Sequence, residues 1–208
     1  MKIGHIRLKG RLFAAPMVNV SDLAFRLECR KYGAALTYTE MIVINSLLTQ
    51  NKKVMLDALT VPEEKPSAIQ IAGYDPKLFV KALPLCKNFD IIDVNFSCPV
   101  SKAELSGIGA VLLDNPQKIK EIIQTIVKHT DQPITAKVRL GFKSINLFEV
   151  AEAVEQAGAS AICIHARTAE SKRGDSAEWK YIREVKEKIS IPIIGNGDVL
   201  SGNNAKSM

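Results

Sequence analysis

Asn95 and Cys98 stand at the end of a short apolar run, Ile91-Ile-Asp-Val-Asn-Phe-Ser-Cys-Pro99. The run reads as a parallel strand covered on both faces, and Pro99 stops its pairing. In α/β proteins ligands and chemistry sit at the C-terminal edge of such strands, so a thiol there is a candidate for reactivity. Other polar residues fall at the same kind of boundary: Met17, Gln70, Lys137, His165 and Asn196 each lie at or just past the end of an apolar run. A buried lysine is costly unless an anion or a polar ring needs it. Its alternative partner is a carboxylate such as Asp93 or Glu40, and His165 has a purely structural alternative as well. Asn196-Gly197-Asp198 is either a tight turn or part of a phosphate site, since barrels build one from the loops after strands seven and eight. The Asp198 charge would repel a phosphate unless it points away.

The elements that must position these residues alternate in order. Strand candidates are residues 11–15, 35–38, 67–71, 90–94, 134–138, 161–164 and 191–194, with helical segments near 22–33, 43–50, 75–86, 116–130, 147–157 and 178–188. Ser21 or Asp22 can cap the first helix, and Pro116 suits a first helical turn with Asn115 as its cap. Residues 100–115 form the longest connection, and its Gly107 and Gly109 suit either a binding loop or a plain excursion. Seven strand-then-helix units argue for parallel pairing, because each return crossover needs a helix. The expected architecture is a (β/α)8 TIM-type barrel truncated after the seventh strand, with residues 1–208 as one catalytic domain. A doubly wound sheet is the alternative, but the first strand leads into Ala15-Pro-Met17 and lacks the G-x-G-x-x-G turn of dinucleotide folds.

Composition bounds the rest. With 208 residues, 47% of them hydrophobic, the chain can bury one substantial core. No stretch approaches ~20 uninterrupted apolar residues, and the N-terminus lacks a signal-peptide core, so no membrane role and a cytoplasmic location are expected. The scattered Cys29, Cys86, Cys98 and Cys163 form no CxxC pair, so neither a disulfide framework nor a metal is expected. The formal net charge of +6 suits a polyanion such as RNA, although basic proteins of ordinary function are common.

Seven stretches together resemble the tRNA-dihydrouridine synthase family: Ala15-Pro-Met-Val-Asn-Val-Ser-Asp-Leu-Ala-Phe-Arg26, Thr39-Glu-Met41, Asp93-Val-Asn-Phe-Ser-Cys-Pro99, Gly109-Ala-Val-Leu-Leu113, Lys137-Val-Arg-Leu-Gly141, His165-Ala-Arg-Thr168 and Asn196-Gly-Asp198. The resemblance implies an FMN-bearing barrel that uses NADPH to reduce uridines of tRNA to 5,6-dihydrouridine. It puts Pro16 and Met17 against the flavin ring, Gln70, Lys137 and His165 in hydrogen bonds to it, and Asn196 and Gly197 toward the ribityl phosphate. Asn95 would contact flavin or uracil, Cys98 would be the proton donor, and Arg139 and Arg167 would meet the substrate. An ordinary thiol is mostly protonated at neutral pH and can supply such a proton. The chain has Ser97 and Ala166 where the family usually has glycine. Against the family pattern, the eighth βα unit with its phosphate loop and the C-terminal helical tRNA-binding domain are expected to be absent from residues 1–208. Two other readings remain: a flavin barrel acting on free pyrimidines or dihydroorotate, and a catalytically silent RNA-binding remnant.

Overall fold

The computed structural model describes residues 1–99, 105–171 and 174–208. A two-stranded antiparallel hairpin, β1 (Lys2–Ile3) and β2 (Ile6–Arg7), precedes β3 (Phe13–Ala14), β4 (Leu36–Val43), β5 (Ser67–Ala72), β6 (Ile91–Phe96), β7 (Ile134–Arg139), β8 (Ala161–His165) and β9 (Ile193–Asn196). The last seven pair in parallel and in chain order, β3 to β9. The helices that lie wholly among the described residues are α1 (Leu23–Lys31), α2 (Ile44–Thr49), α3 (Lys52–Asp57), α4 (Pro76–Cys86), α5 (Pro116–Val127), α6 (Leu147–Gln156), α7 (Lys180–Lys186) and α8 (Gly202–Ser207). The seven parallel units are those expected, curled as an open barrel whose edge strands β3 and β9 do not pair with each other.

The two faces of each strand explain the layering. Ile92, Val94 and Phe96 alternate with Asp93 and Asn95, so apolar side chains meet the helices while polar ones turn to the barrel interior. The helices answer with matching stripes. On α5, Ile119, Ile122, Ile123 and Ile126 are all buried at helical spacing, each stabilising by about 1.5–3 kcal/mol over an exposed side chain. Asn115 caps this helix by accepting from the Lys118 amide, and Pro116 occupies its first turn. Asp22 rather than Ser21 caps α1, accepting from the Phe25 amide.

Helices α3 and α8 fall outside the expected set, and three features of the strands also differ from expectation. The hairpin at the N-terminus packs Ile3 and Leu8 against Leu36, Tyr38, Ala68, Ile91 and Ala161, closing the barrel's N-terminal end. Strand β4 runs on to Val43 instead of stopping at Tyr38, because an irregularity between Tyr38 and Met41 lets the polar Thr39-Glu40 segment stay in the sheet. Strand β9 begins two residues later and includes Asn196, since Pro192 contributes only a carbonyl to the pairing with Ile162. Of the long connection, residues 100–104 lie outside the described residues, and Gly109–Asp114 forms a 3-10 turn.

Candidate active site

Parallel register stacks the inward polar residues in layers toward the C-terminal edge. Gln70, Asp93 and Thr135 are register partners, then Asn95, Lys137 and Cys163, then Arg139, His165 and Asn196. The polar residues thus gather at one mouth, as their positions at strand ends predict.

Around β6 a hydrogen-bond chain fixes the cysteine turn. Thr135 Oγ1 donates to Asp93 Oδ1 (2.5 Å), and Gln70 Nε2 donates to Asp93 Oδ2 (2.7 Å). Asn95 Nδ2 donates to Gln70 Oε1 (2.8 Å), while Asn95 Oδ1 accepts from the backbone amides of Ser97 and Cys98, both at 2.9 Å. Cys98 itself is partly exposed, and its carbonyl accepts from the Ala110 amide (3.0 Å). Gly109 makes this seat possible: at φ +73, a Cβ added there would lie 2.7 Å from the Cys98 carbonyl oxygen. Arg139 joins two loops, donating from Nε to the Ser97 carbonyl (2.7 Å) and from Nη1 to the Thr168 carbonyl (3.0 Å).

A second group lies beside β9. Lys137, only 6% exposed, donates to Asn196 Oδ1 (3.1 Å). Neither suggested carboxylate takes it as an ion pair: Asp93 accepts from Gln70 and Thr135, and Glu40 accepts from the Asn19 amide. Arg167 pairs with Asp198 (2.6 Å), whose other oxygen accepts from the Ala177 amide. Both Asp198 oxygens are therefore engaged by the loop that follows β8, although the residue still lines the cleft beside Gly197. Gly197, at φ +111, runs so close to His165 that an added Cβ would lie 2.9 Å from His165 Cδ2. Its carbonyl accepts from Trp179 Nε1 (2.9 Å). Pro16, Lys137, Asn196 and Gly197 line an open cleft of about 1510 Å³ between β3 and β9, whereas Cys98 stands outside it beyond the middle strand. Met17 is exposed at the rim, its amide held by Ser21 Oγ (2.9 Å).

The titrations fit these roles. Burial, reinforced by Lys137, Arg139 and Arg167, lowers the His165 pKa to about 3, so its imidazole is neutral at physiological pH. The unfolded chain takes up this proton first, so stability falls as pH drops from about 6.5 toward about 3. His165→Gln should flatten that part of the profile, which urea denaturation above and below pH 6.5 would read; an unchanged slope would assign the acid sensitivity elsewhere. Burial pushes Cys86 up to about 12 and Cys163 to about 11, which makes both poor nucleophiles, and raises Cys29.

Thr135 was not singled out by motif reading, and Asp93 was weighed only as a partner for Lys137. The available signal was a carboxylate inside an otherwise apolar strand, which demands buried donors. Likewise unforeseen is the buried Arg26–Glu64 pair (2.6 Å) behind the Met17 turn.

The architecture and the polar mouth define an α/β-barrel protein with a buried cation and a seated thiol at its C-terminal edge. The chain belongs to the dihydrouridine synthase family, whose model, "Dihydrouridine synthase (Dus)", matches residues 13–208. It is 39% identical over 210 residues to tRNA-dihydrouridine synthase B of Pasteurella multocida, covering 99% of this chain and 63% of that protein. It is 36% identical over 212 residues to the protein of that name from Escherichia coli K12, covering 100% and 66% respectively. The chain therefore spans slightly less than two thirds of these relatives' length. Among solved structures, a variant of NCR from Zymomonas mobilis matches with a TM-score of 0.66 at 11% identity, covering 100% of this chain and 80% of that one. Mandelate oxidase with benzoyl-formic acid matches at 0.61 and 15%, covering 98% and 62%. At such identities the likeness concerns the fold alone. No helix among the described residues is long and apolar enough to cross a membrane.

Proposed function

We propose that this chain is the catalytic barrel of a tRNA-dihydrouridine synthase, holding FMN, drawing electrons from NADPH and reducing the C5=C6 bond of uridine in cytoplasmic tRNA. The observation that carries the reading is Lys137: a nearly buried ammonium with an amide oxygen as its bonded partner, among the described residues, and an open cleft beside it. Such a cation fits an anionic electron carrier, because a nearly buried charge with no direct ion pair among the described residues stabilises negative charge placed next to it. Asn196 and Gly197 line the same cleft, and both Asp198 oxygens are already engaged by Arg167 and the Ala177 amide, which favours a phosphate-bearing ligand there.

When bound, FMN would take two electrons from the nicotinamide and deliver a hydride to uracil C6. The protein's own groups do the remaining work. Lys137 and Asn196 would hold the flavin, with neutral His165 as a hydrogen-bonding neighbour, and Pro16 and Met17 would flank the ring. Cys98 would carry a proton on Sγ and release it to C5, where negative charge develops conjugated with the C4 carbonyl. Arg139 has two of its N–H groups committed to backbone, so its main contribution is to hold the Ser97 and Thr168 carbonyls; its Nη2, without a partner among the described residues, would be left for substrate. Arg167, tied to Asp198, orders the loop after β8 and would face substrate only with its remaining donors. A net charge of +6 assists association with tRNA phosphates.

The test is titration of the purified chain with FMN, then NADPH under anaerobic conditions, then a uridine-containing tRNA transcript. Flavin absorbance near ~450 nm that bleaches with NADPH, followed by a two-hydrogen mass gain at uridine, is the expected result. Salt-sensitive RNA binding without any flavin uptake would overturn the reading in favour of a silent RNA-binding protein.

A further inference from the structure

Asp93 is a fully buried carboxyl that the proposed reaction does not use. We propose that it is a positioning residue whose acceptor oxygens set the direction of the Asp93–Gln70–Asn95 hydrogen-bond chain and so hold the Cys98 turn. This deepens the proposed reaction and rests on it for its functional meaning, although the geometry can be tested without flavin or RNA.

The argument is one of polarity. The backbone amides of Ser97 and Cys98 can only donate, so Asn95 must offer them its oxygen, as it does at 2.9 Å to each. Its Nδ2 is thereby turned to Gln70, which must accept through Oε1. Gln70 Nε2 then needs an acceptor, and Asp93 Oδ2 supplies one at 2.7 Å. An ionised carboxylate accepts and cannot donate, so it allows this direction and forbids the reverse. Thr135 Oγ1, donating to the other oxygen, holds the carboxylate in place. Gln70 is braced at its backbone too, where its amide donates to Thr39 Oγ1 (3.0 Å). Without a fixed acceptor at position 93, either orientation of the Gln70 amide becomes available. In the reversed one its NH2 group confronts the Asn95 NH2 group, and Asn95 can relieve that conflict only by releasing the cysteine turn. Burial raises the Asp93 pKa, opposed by the Gln70 and Thr135 hydrogen bonds and the Lys137 charge. A rival role as mere counter-charge to Lys137 must therefore be separated from the role as acceptor.

Asparagine separates them, since it loses the charge yet can turn its oxygen to Gln70 and its NH2 group to Thr135. The readout is the rate at which iodoacetamide alkylates Cys98 in the apo protein, resolved by peptide mass spectrometry. Cys163, only 8% exposed on β8, reports whether the packing around the sheet stays intact. Asp93→Leu and Gln70→Leu should each speed Cys98 alkylation about tenfold, the effect of losing one well-made buried hydrogen bond, while Asp93→Asn stays within about twofold of the parent. Cys163 should remain protected in all three. If Asp93→Leu exposes Cys163, Gln70→Leu decides alone. Two results overturn the proposal: leucine variants that alkylate Cys98 at the parent rate with Cys163 protected, or an Asp93→Asn variant that matches the leucine variants, which would assign the role to charge. A parent protein that shows this thiol pattern but never reduces uridine would sink the proposed reaction and leave the positioning role standing.

Discussion

Cys98→Ala should slow uridine reduction by about 10²–10⁴-fold while leaving FMN binding unchanged, the range expected for removing a positioned general acid. The separation of effects follows from where the residue sits. Cys98 belongs to the turn organised by Asn95, whereas the flavin-holding candidates Lys137, Asn196 and Gly197 line the cleft beside β9. The backbone bonds from Ser97 and Cys98 to Asn95 do not involve the sulfur, so an alanine preserves the turn and removes only the proton source. Cys29→Ala is the matched control, since that thiol lies on α1 outside the site. The measurement is single-turnover oxidation of the reduced flavin by tRNA, compared with the absorbance of bound flavin before substrate is added. Turnover at the parent rate in Cys98→Ala would remove Cys98 from the chemistry altogether.

The second large effect concerns stability. Arg26→Met should destabilise the fold by about 3–5 kcal/mol, the cost of stranding a buried carboxylate. Arg26 and Glu64 are 1% and 0% exposed and make two contacts, at 2.6 and 3.2 Å. The arginine also donates to the Ser21 and Leu59 carbonyls, and the glutamate accepts from Thr37 and Thr60, so the network is well satisfied. Removing one member leaves the other's charge without water or counter-ion. The double variant Arg26→Met/Glu64→Met should therefore lose less than the sum of the single losses. Urea denaturation of the four proteins completes the cycle; a single-variant loss below about 1 kcal/mol would show that solvent reaches the pair. The same arginine restrains Ser21, whose hydroxyl holds the Met17 amide, so loosening should spread to the rim of the site.

These two sites also mark the limits of what could be read from residues alone. Runs such as Ser67–Ala72 and Ile134–Arg139 are legible because a strand buried on both faces must be short, apolar and bounded by turn formers. Their polar terminal residues pointed to the mouth for the same reason. The Arg26–Glu64 pair was not legible, because 38 residues separate partners that meet only after α1 packs against the Pro62–Glu64 turn. The β1–β2 hairpin was missed although Gly4, at φ +55, carried a turn signal. Asn95 was legible as a polar residue at a strand end, but its bonds were not. Beside the flavin or uracil contact expected of it, its amide bonds to Gln70, Ser97 and Cys98. That commitment depends on register between strands, which a single run cannot disclose.

Gly109 carries a consequence for the ways this chain can change over generations. Its Cα hydrogen is pressed against the carbonyl of Cys98, so any side chain there would displace the thiol's own backbone. Gly33 has a similar left-handed backbone with nothing within 4 Å, and an asparagine there would meet only open space. Two glycines with the same conformational signature thus differ in what a replacement would do. At Gly33 a side chain strains only a surface turn, while at Gly109 it would also move the candidate proton donor without altering the cysteine itself.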